Sequence, residues 1–203
     1  MFTQRVIAAL QRIEALDGEQ KASGEGIPFW RVSGENGRLL HILCRSTGAR
    51  RAVEIGTSSG YSGIHIASAL DAANGHLWTF EREPFKLDLA RRSFEDAGLS
   101  ALVTQVAGDV LQTLPAFLAA GGEPVDFAFL DAVKTDYLRY LEILRPHLRT
   151  GSVVCADNVG APQAEAVAPY LAALERGPFI TSIVPTRNAE TLTDALAVSI
   201  FEG

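Results

Sequence analysis

From Arg51 onward short apolar runs alternate with longer amphipathic segments, and this alternation limits the folds open to the chain. AVEI, LWTF, ALVTQVA, VDFAFL and SVVCA read as strands, separated by helical spacing near 61–71, 84–97, 110–120 and 134–147. Strands that are apolar on both faces and joined by helix-length crossovers belong to a parallel sheet covered on both sides. After a further helix near 162–174, FITSIV and ALAVSIF follow with only about ten residues between them, too few for a crossover helix, so they pair antiparallel. The expected fold is α/β: a doubly wound, mostly parallel, seven-stranded sheet of Rossmann-like type with one antiparallel strand.

Two helices precede this pattern. Phe2, Val6, Ala9, Leu10 and Ile13 recur at helical spacing until Asp17-Gly18 ends the first. A glycine-bearing loop reaches Pro28, and Ser33 then caps a second helix carrying Leu39, Leu40, Ile42 and Leu43. The 203 residues contain no repeat or linker and form one domain, 1–203. No continuous apolar core marks the amino terminus as a secretory signal and no run is long enough to span a membrane, so the expectation is a cytoplasmic protein. Cys44 and Cys155, far apart in apolar segments, read as reduced core thiols. The four histidines are scattered without metal-binding spacing, and Trp78 reads as core.

In open α/β sheets ligands bind beyond the carboxyl ends of the strands. Those ends are acidic here: Glu54 before the turn GTSSG, then Glu81, Asp109, Asp131 and Asp157, all expected on one rim. In VEIGTSSGYSG, Gly56 and Gly60 allow close backbone approach and Ser62 lies at the start of the next helix. The spacing ExGxxxGxS departs from both the dinucleotide GxGxxG and the P-loop. Glu81, about twenty residues further on, is placed to accept both hydroxyl hydrogens of a ribose, which suits any nucleoside ligand, NAD included. Asp131 with Lys134 in LDAVKTDY, and Asp157 with Asn158 in VVCADNV, bring two carboxylates and an amide oxygen together. Such hard donors suit Mg²⁺, Mn²⁺ or Ca²⁺.

VEIGTSSGYSG, TFE, the Gly108-Asp109 pair, LDAVKTDYLRYLE and VVCADNV, in this order, resemble the cation-dependent class I O-methyltransferases, typified by the catechol and caffeoyl-CoA enzymes. The likeness runs from about Trp30 to the last strand. It implies an S-adenosylmethionine site: Val32 backbone, Glu54, Gly56, Thr57 and Ser62 around the methionine end, Glu81 on the ribose, and the Asp109-Val110 turn beside adenine. It further implies Asp131, Asp157 and Asn158 as ligands of a divalent cation, Asp131 also near the methionyl amine, and Lys134 as general base. The implied partner is a small hydroxylated acceptor, phenolic or vicinal-diol, and relatives often form homodimers.

This chain departs from that pattern at several points. Trp30-Arg31-Val32 replaces a Met-x-Val run, and Val133 stands where an aromatic gate is usual. VGAPQAEAV is short after Asn158, and Asn188, with Arg187 and Glu190, occupies the region where catechol-methylating members carry an acid. A second acceptor class is a hydroxyuridine of transfer RNA, for which Arg50, Arg51, Arg91, Arg92, Arg145 and Arg149 would supply a local patch although the formal charge is −6. A nucleoside-binding protein without catalysis and an NAD-dependent oxidoreductase are the readings from other classes.

Overall fold

The computed structural model describes residues 2–24, 26, 28–70, 75–161, 163–186 and 194–203. Seven strands form one sheet: β1 (Arg51–Ile55), β2 (His76–Glu81), β3 (Val103–Ala107), β4 (Val125–Leu130), β5 (Leu148–Ala156), β6 (Phe179–Thr186) and β7 (Asp194–Phe201). Their order is β3-β2-β1-β4-β5-β7-β6. The first five run parallel and β7 is antiparallel to both neighbours, as expected from the sequence.

Strand parity explains the unbroken apolar runs. In β4, Phe127 and Phe129 enter one layer with Leu40, Ile64 and Leu77, while Ala128 and Leu130 enter the other with Leu114, Tyr137 and Tyr170. The first layer holds α1 (Gln4–Ser23), α2 (Gly34–Ser46), α3 (Tyr61–Ala67) and α4 (Pro84–Ala97). The second holds α5 (Val110–Ala119), α6 (Tyr137–Leu144) and α7 (Ala164–Arg176). Cys44 and Cys155 are buried free thiols. No helix among the described residues is long and apolar enough to cross a membrane.

Three element bounds and one burial assignment differ from the sequence reading. Helix α1 continues past Asp17-Gly18 to Ser23, where Gly24 closes it at φ 68°. Asp17 is no stop because its carboxylate pairs with Lys21 one turn on and with Arg31. The segment expected near 61–71 is helical over Tyr61–Ala67 and not at 68–70, residue 71 lying outside the described residues. The stretch 134–147 is a tight 3₁₀ turn, the eight-residue α6, and a second 3₁₀ turn containing Pro146. Trp78 is half-buried, packed against Phe117 and His76 at the amino end of the sheet.

Candidate active site

The chain leaves β1 toward β2 and β3 on one side and returns to β4 on the other, so a crevice opens at the carboxyl ends of β1 and β4. Backbone hydrogen bonds extend the ladder beyond the strands and fix the rim in register. Gly108 donates to Glu81, Gly56 to Phe80, Asp131 to Ile55 and Asp157 to Leu130, at 2.8–3.0 Å. A cleft of about 1470 Å³ sits above this rim. Val32, Gly56, Glu81, Asp109, Val110, Asp131, Lys134, Asp157 and Asn158 all line it.

Gly56 is required by geometry. It has φ 104°, and a Cβ there would lie 2.1 Å from the Asp131 carbonyl oxygen. The turns after β1 and β4 therefore touch through backbone alone.

Glu81 accepts from three backbone N–H groups: Ser58 to Oε2 at 3.0 Å, and Arg82 and Glu83 to Oε1 at 2.9 and 3.1 Å. A carboxylate has about four acceptor positions, so these three donors orient Glu81 and leave capacity facing the cleft. Ser58 is itself held at φ 45°, which aims its N–H at this carboxylate. Asp109 accepts from the Leu111 N–H at 2.9 Å and so caps α5.

Glu54 departs from the expected rim. It is fully buried, accepts from Thr79 at 2.6 Å, and points beneath α3, whose Gly63 leaves it room. Burial pushes its carboxyl up to about 7, against the opposing hydrogen bonds of Ser62 and Thr79, and one of its oxygens has no partner. Thr57 also reaches Thr79, at 2.5 Å. Glu54, Thr57 and Ser62 thus lie below the turn, and none of the three is among the residues lining the cleft.

At the other end Lys134 Nζ donates to Asp131 Oδ1 at 2.7 Å and to the Tyr137 hydroxyl at 2.8 Å. The Tyr137 hydroxyl in turn lies 3.0 Å from both the Leu130 and Asp157 carbonyl oxygens, tying α6 to the ends of β4 and β5. Asp157 is 4% exposed, and its carboxyl is pushed up to about 8, first by burial and then by the charge of Asp131. Asn36, in the first turn of α2, donates to Asp157 Oδ1 at 3.2 Å. Asn158, at φ 56°, turns its amide nitrogen to Asp194 Oδ2 at 2.5 Å, leaving its amide oxygen for another partner.

Asn36, Tyr137 and Asp194 were not singled out from sequence. Tyr137 stands in the LDAVKTDY run, where its spacing from Lys134 was the available signal; the other two reach the site only through tertiary packing. Among the described residues no group of three or more His, Cys, Asp and Glu side chains is arranged to hold a metal. The set at hand is two carboxylates and an amide. Asn188, Arg187 and Glu190 lie outside the described residues.

The arginines named as a possible patch are engaged elsewhere in four of six cases. Arg51 is buried against the Trp78 and Phe117 rings and donates to the Gly121 and Glu123 carbonyls. Arg91 and Arg92 pair with Asp88, and Arg149 pairs with Asp126. Arg50 and Arg51, at the amino end of β1, are on the edge of the sheet opposite the cleft.

Residues 14–162 match the family model described as O-methyltransferase. A catechol O-methyltransferase of Niastella koreensis is 35% identical over 134 residues, 66% of this chain and 60% of that protein. One from Mycobacterium tuberculosis is 36% identical over 133 residues, 66% of this chain and 59% of that protein. The chain therefore spans about three fifths of the length of these curated relatives. Among solved structures, an O-methyltransferase from Bacillus cereus in complex with SAH superposes with TM-score 0.85 at 26% identity, covering 96% of this chain and 91% of that one. TomG from Streptomyces achromogenes, an O-methyltransferase involved in tomaymycin synthesis and solved with SAM, gives 0.83 at 30% identity, covering 99% and 91%. With the model match extending over well more than half of its length, the chain belongs to the O-methyltransferase family.

Proposed function

We propose that this protein transfers a methyl group from S-adenosylmethionine to a hydroxyl of a small phenolic or vicinal-diol acceptor, with a divalent cation. The observation carrying this reading is the meeting of two kinds of group across the β1–β4 crevice. On one side are Gly56 and the backbone-held Glu81, suited to a nucleoside; on the other, Asp131, Asp157, Asn158 and Lys134. The relatives named catechol O-methyltransferase and the neighbours solved with SAM and SAH support the same assignment.

In this reading Glu81 Oε2 accepts a ribose hydroxyl, Val32 and Gly56 border the methionine end with Asp131 near its amine, and Asp109-Val110 flank the adenine. Glu54, Thr57 and Ser62 brace the turn from below. The donor set fits a cation: Asp157 is buried beside Asp131, burial and the Asp131 charge favour its protonated form, and a bound cation would favour the ionised one. Asp131, Asp157 and Asn158 would hold Mg²⁺, or Mn²⁺ or Ca²⁺, through oxygen. When bound, such a cation makes a nearby hydroxyl more acidic.

Lys134, fixed by Asp131 and Tyr137, takes the hydroxyl proton at Nζ, for which it must be neutral at that moment. The acceptor oxygen bonds to the methyl carbon as the carbon–sulfur bond breaks and its electron pair stays on sulfur. The cleft contributes by holding both reactants in line.

The test is methyl transfer from labelled S-adenosylmethionine to catechols, flavonoids, hydroxycinnamoyl thioesters and hydroxyuridine-bearing transfer RNA, with Mg²⁺ and with EDTA. The expected result is label in a phenolic acceptor that disappears in EDTA. S-adenosylmethionine binding without transfer to any acceptor would favour a nucleoside-binding protein instead, and transfer undiminished by EDTA would remove the cation.

A further inference from the structure

Lys86 lines the cleft from the first turn of α4, at 6% exposure. A cation in a helix's first turn opposes the macrodipole, and Lys86 does so without a counter-charge. Among the described residues no carboxylate comes within 4.0 Å of its Nζ and no oxygen accepts a hydrogen bond from it. The contact it does make is with the Trp30 ring, whose centroid is 4.7 Å away.

Trp30 is itself unfavourable where it stands. It is 71% exposed and held at φ 47°, a conformation rare for a bulky residue. Strain of this kind persists at ligand sites. Four other cleft cations are paired, Lys134 with Asp131, Arg31 and Lys21 with Asp17, and Arg82 with Glu83, while Arg38 is exposed and stays hydrated.

We propose that Lys86, under the ring of Trp30, is a carboxylate-binding subsite of the cleft. One ammonium in a cleft that also presents Glu81, Glu83 and Asp109 suits a singly charged carboxylate better than a phosphate dianion. Two sources fit: the amino-acid carboxylate of the methyl donor, or a carboxylate on the acceptor. The inference rests on the donor-and-acceptor reading of the cleft given above.

Titration calorimetry on wild type, Lys86→Met and Lys86→Gln separates the cases. The probes are S-adenosylhomocysteine against methylthioadenosine, which lacks the amino-acid end, and 3,4-dihydroxybenzoate against catechol, measured without nucleoside. Loss of one charge-assisted hydrogen bond is expected to weaken binding about tenfold or more. That loss should fall on the carboxylate-bearing member of one pair and spare the other member. The pair affected names the source.

Thermal unfolding of the ligand-free variants provides a second readout: removing a cation that opposes the helix dipole without a counter-charge should leave the melting temperature unchanged or raise it, whereas a structural role would lower it. Variants that bind all four probes like wild type would overturn the proposal. If wild type binds neither nucleoside, the donor reading fails while the benzoate pair still tests Lys86.

Discussion

Glu54 carries the clearest single-residue consequence of this architecture. A carboxyl whose folded-state value is raised to about 7 binds more protons in the native than in the unfolded chain between about pH 4.5 and 7. Stability therefore falls as pH rises through that window, by up to about 3 kcal/mol, since each tenfold change in proton affinity on folding is worth about 1.4 kcal/mol. Glu54→Gln keeps the shape and an acceptor for Thr79 but cannot ionise. Urea unfolding from pH 5 to 8 should show wild type losing stability relative to Glu54→Gln, and parallel pH profiles would show that Glu54 does not titrate differently on folding. The sequence placed Glu54 at a strand end but not under α3, because parity assigns a face and only the packing of α3 seals it. Gly56 was legible as a close-approach position, while the atom it approaches, the Asp131 carbonyl, comes from a strand 75 residues away.

At the scale of elements, α1 is more than a flank. Asp17, 1% exposed, pairs with Arg31 Nε at 2.9 Å, and Arg31 stacks over the Tyr61 ring at 5.0 Å. Tyr61 begins α3 and donates to Glu14 on α1. Helix α1 thereby grips the segment Trp30–Val32, which borders the cleft. Leaving one charge of a buried pair without its partner costs about 3–5 kcal/mol, an upper bound here because Arg31 is partly exposed. Asp17→Asn should lower the melting temperature and weaken S-adenosylhomocysteine binding, and Asp17→Asn with Arg31→Gln should cost less than the sum of the single changes. Strict additivity in a double-mutant cycle would remove the pair as a coupled unit. The early end assigned to α1 at Asp17-Gly18 has the same origin. Asp and Gly are helix terminators by local propensity, and the partners that overrode them are Lys21 and, beyond the loop, Arg31.

Over the whole molecule, the seven-stranded, mostly parallel sheet and the placing of the site beyond its carboxyl ends followed from pattern, while the strand order and the position of the crevice came from the structure. Helix-length crossovers and two closely spaced last strands leave few topologies, and ligands in such sheets sit at the switch point. What pattern could not provide is which groups the tertiary fold adds to that crevice: Asn36 from α2, Tyr137 from α6 and Asp194 from β7 converge on Asp157 and Asn158 from three separate elements. This convergence predicts an opposition between stability and ligand binding. Asp157 sits buried beside Asp131 and Asp194, whose charges oppose its ionisation, and a cation would favour its ionised form. Asp157→Asn keeps the acceptor for Asn36 and needs no proton to fold, so near neutral pH the metal-free variant should melt above wild type. Mg²⁺ should then raise the melting temperature of wild type and leave that of Asp157→Asn nearly unchanged, since stabilisation by a ligand follows its affinity for the folded state. A variant that melts lower than wild type and still responds to Mg²⁺ would place the carboxylate in the framework of the rim and the cation elsewhere.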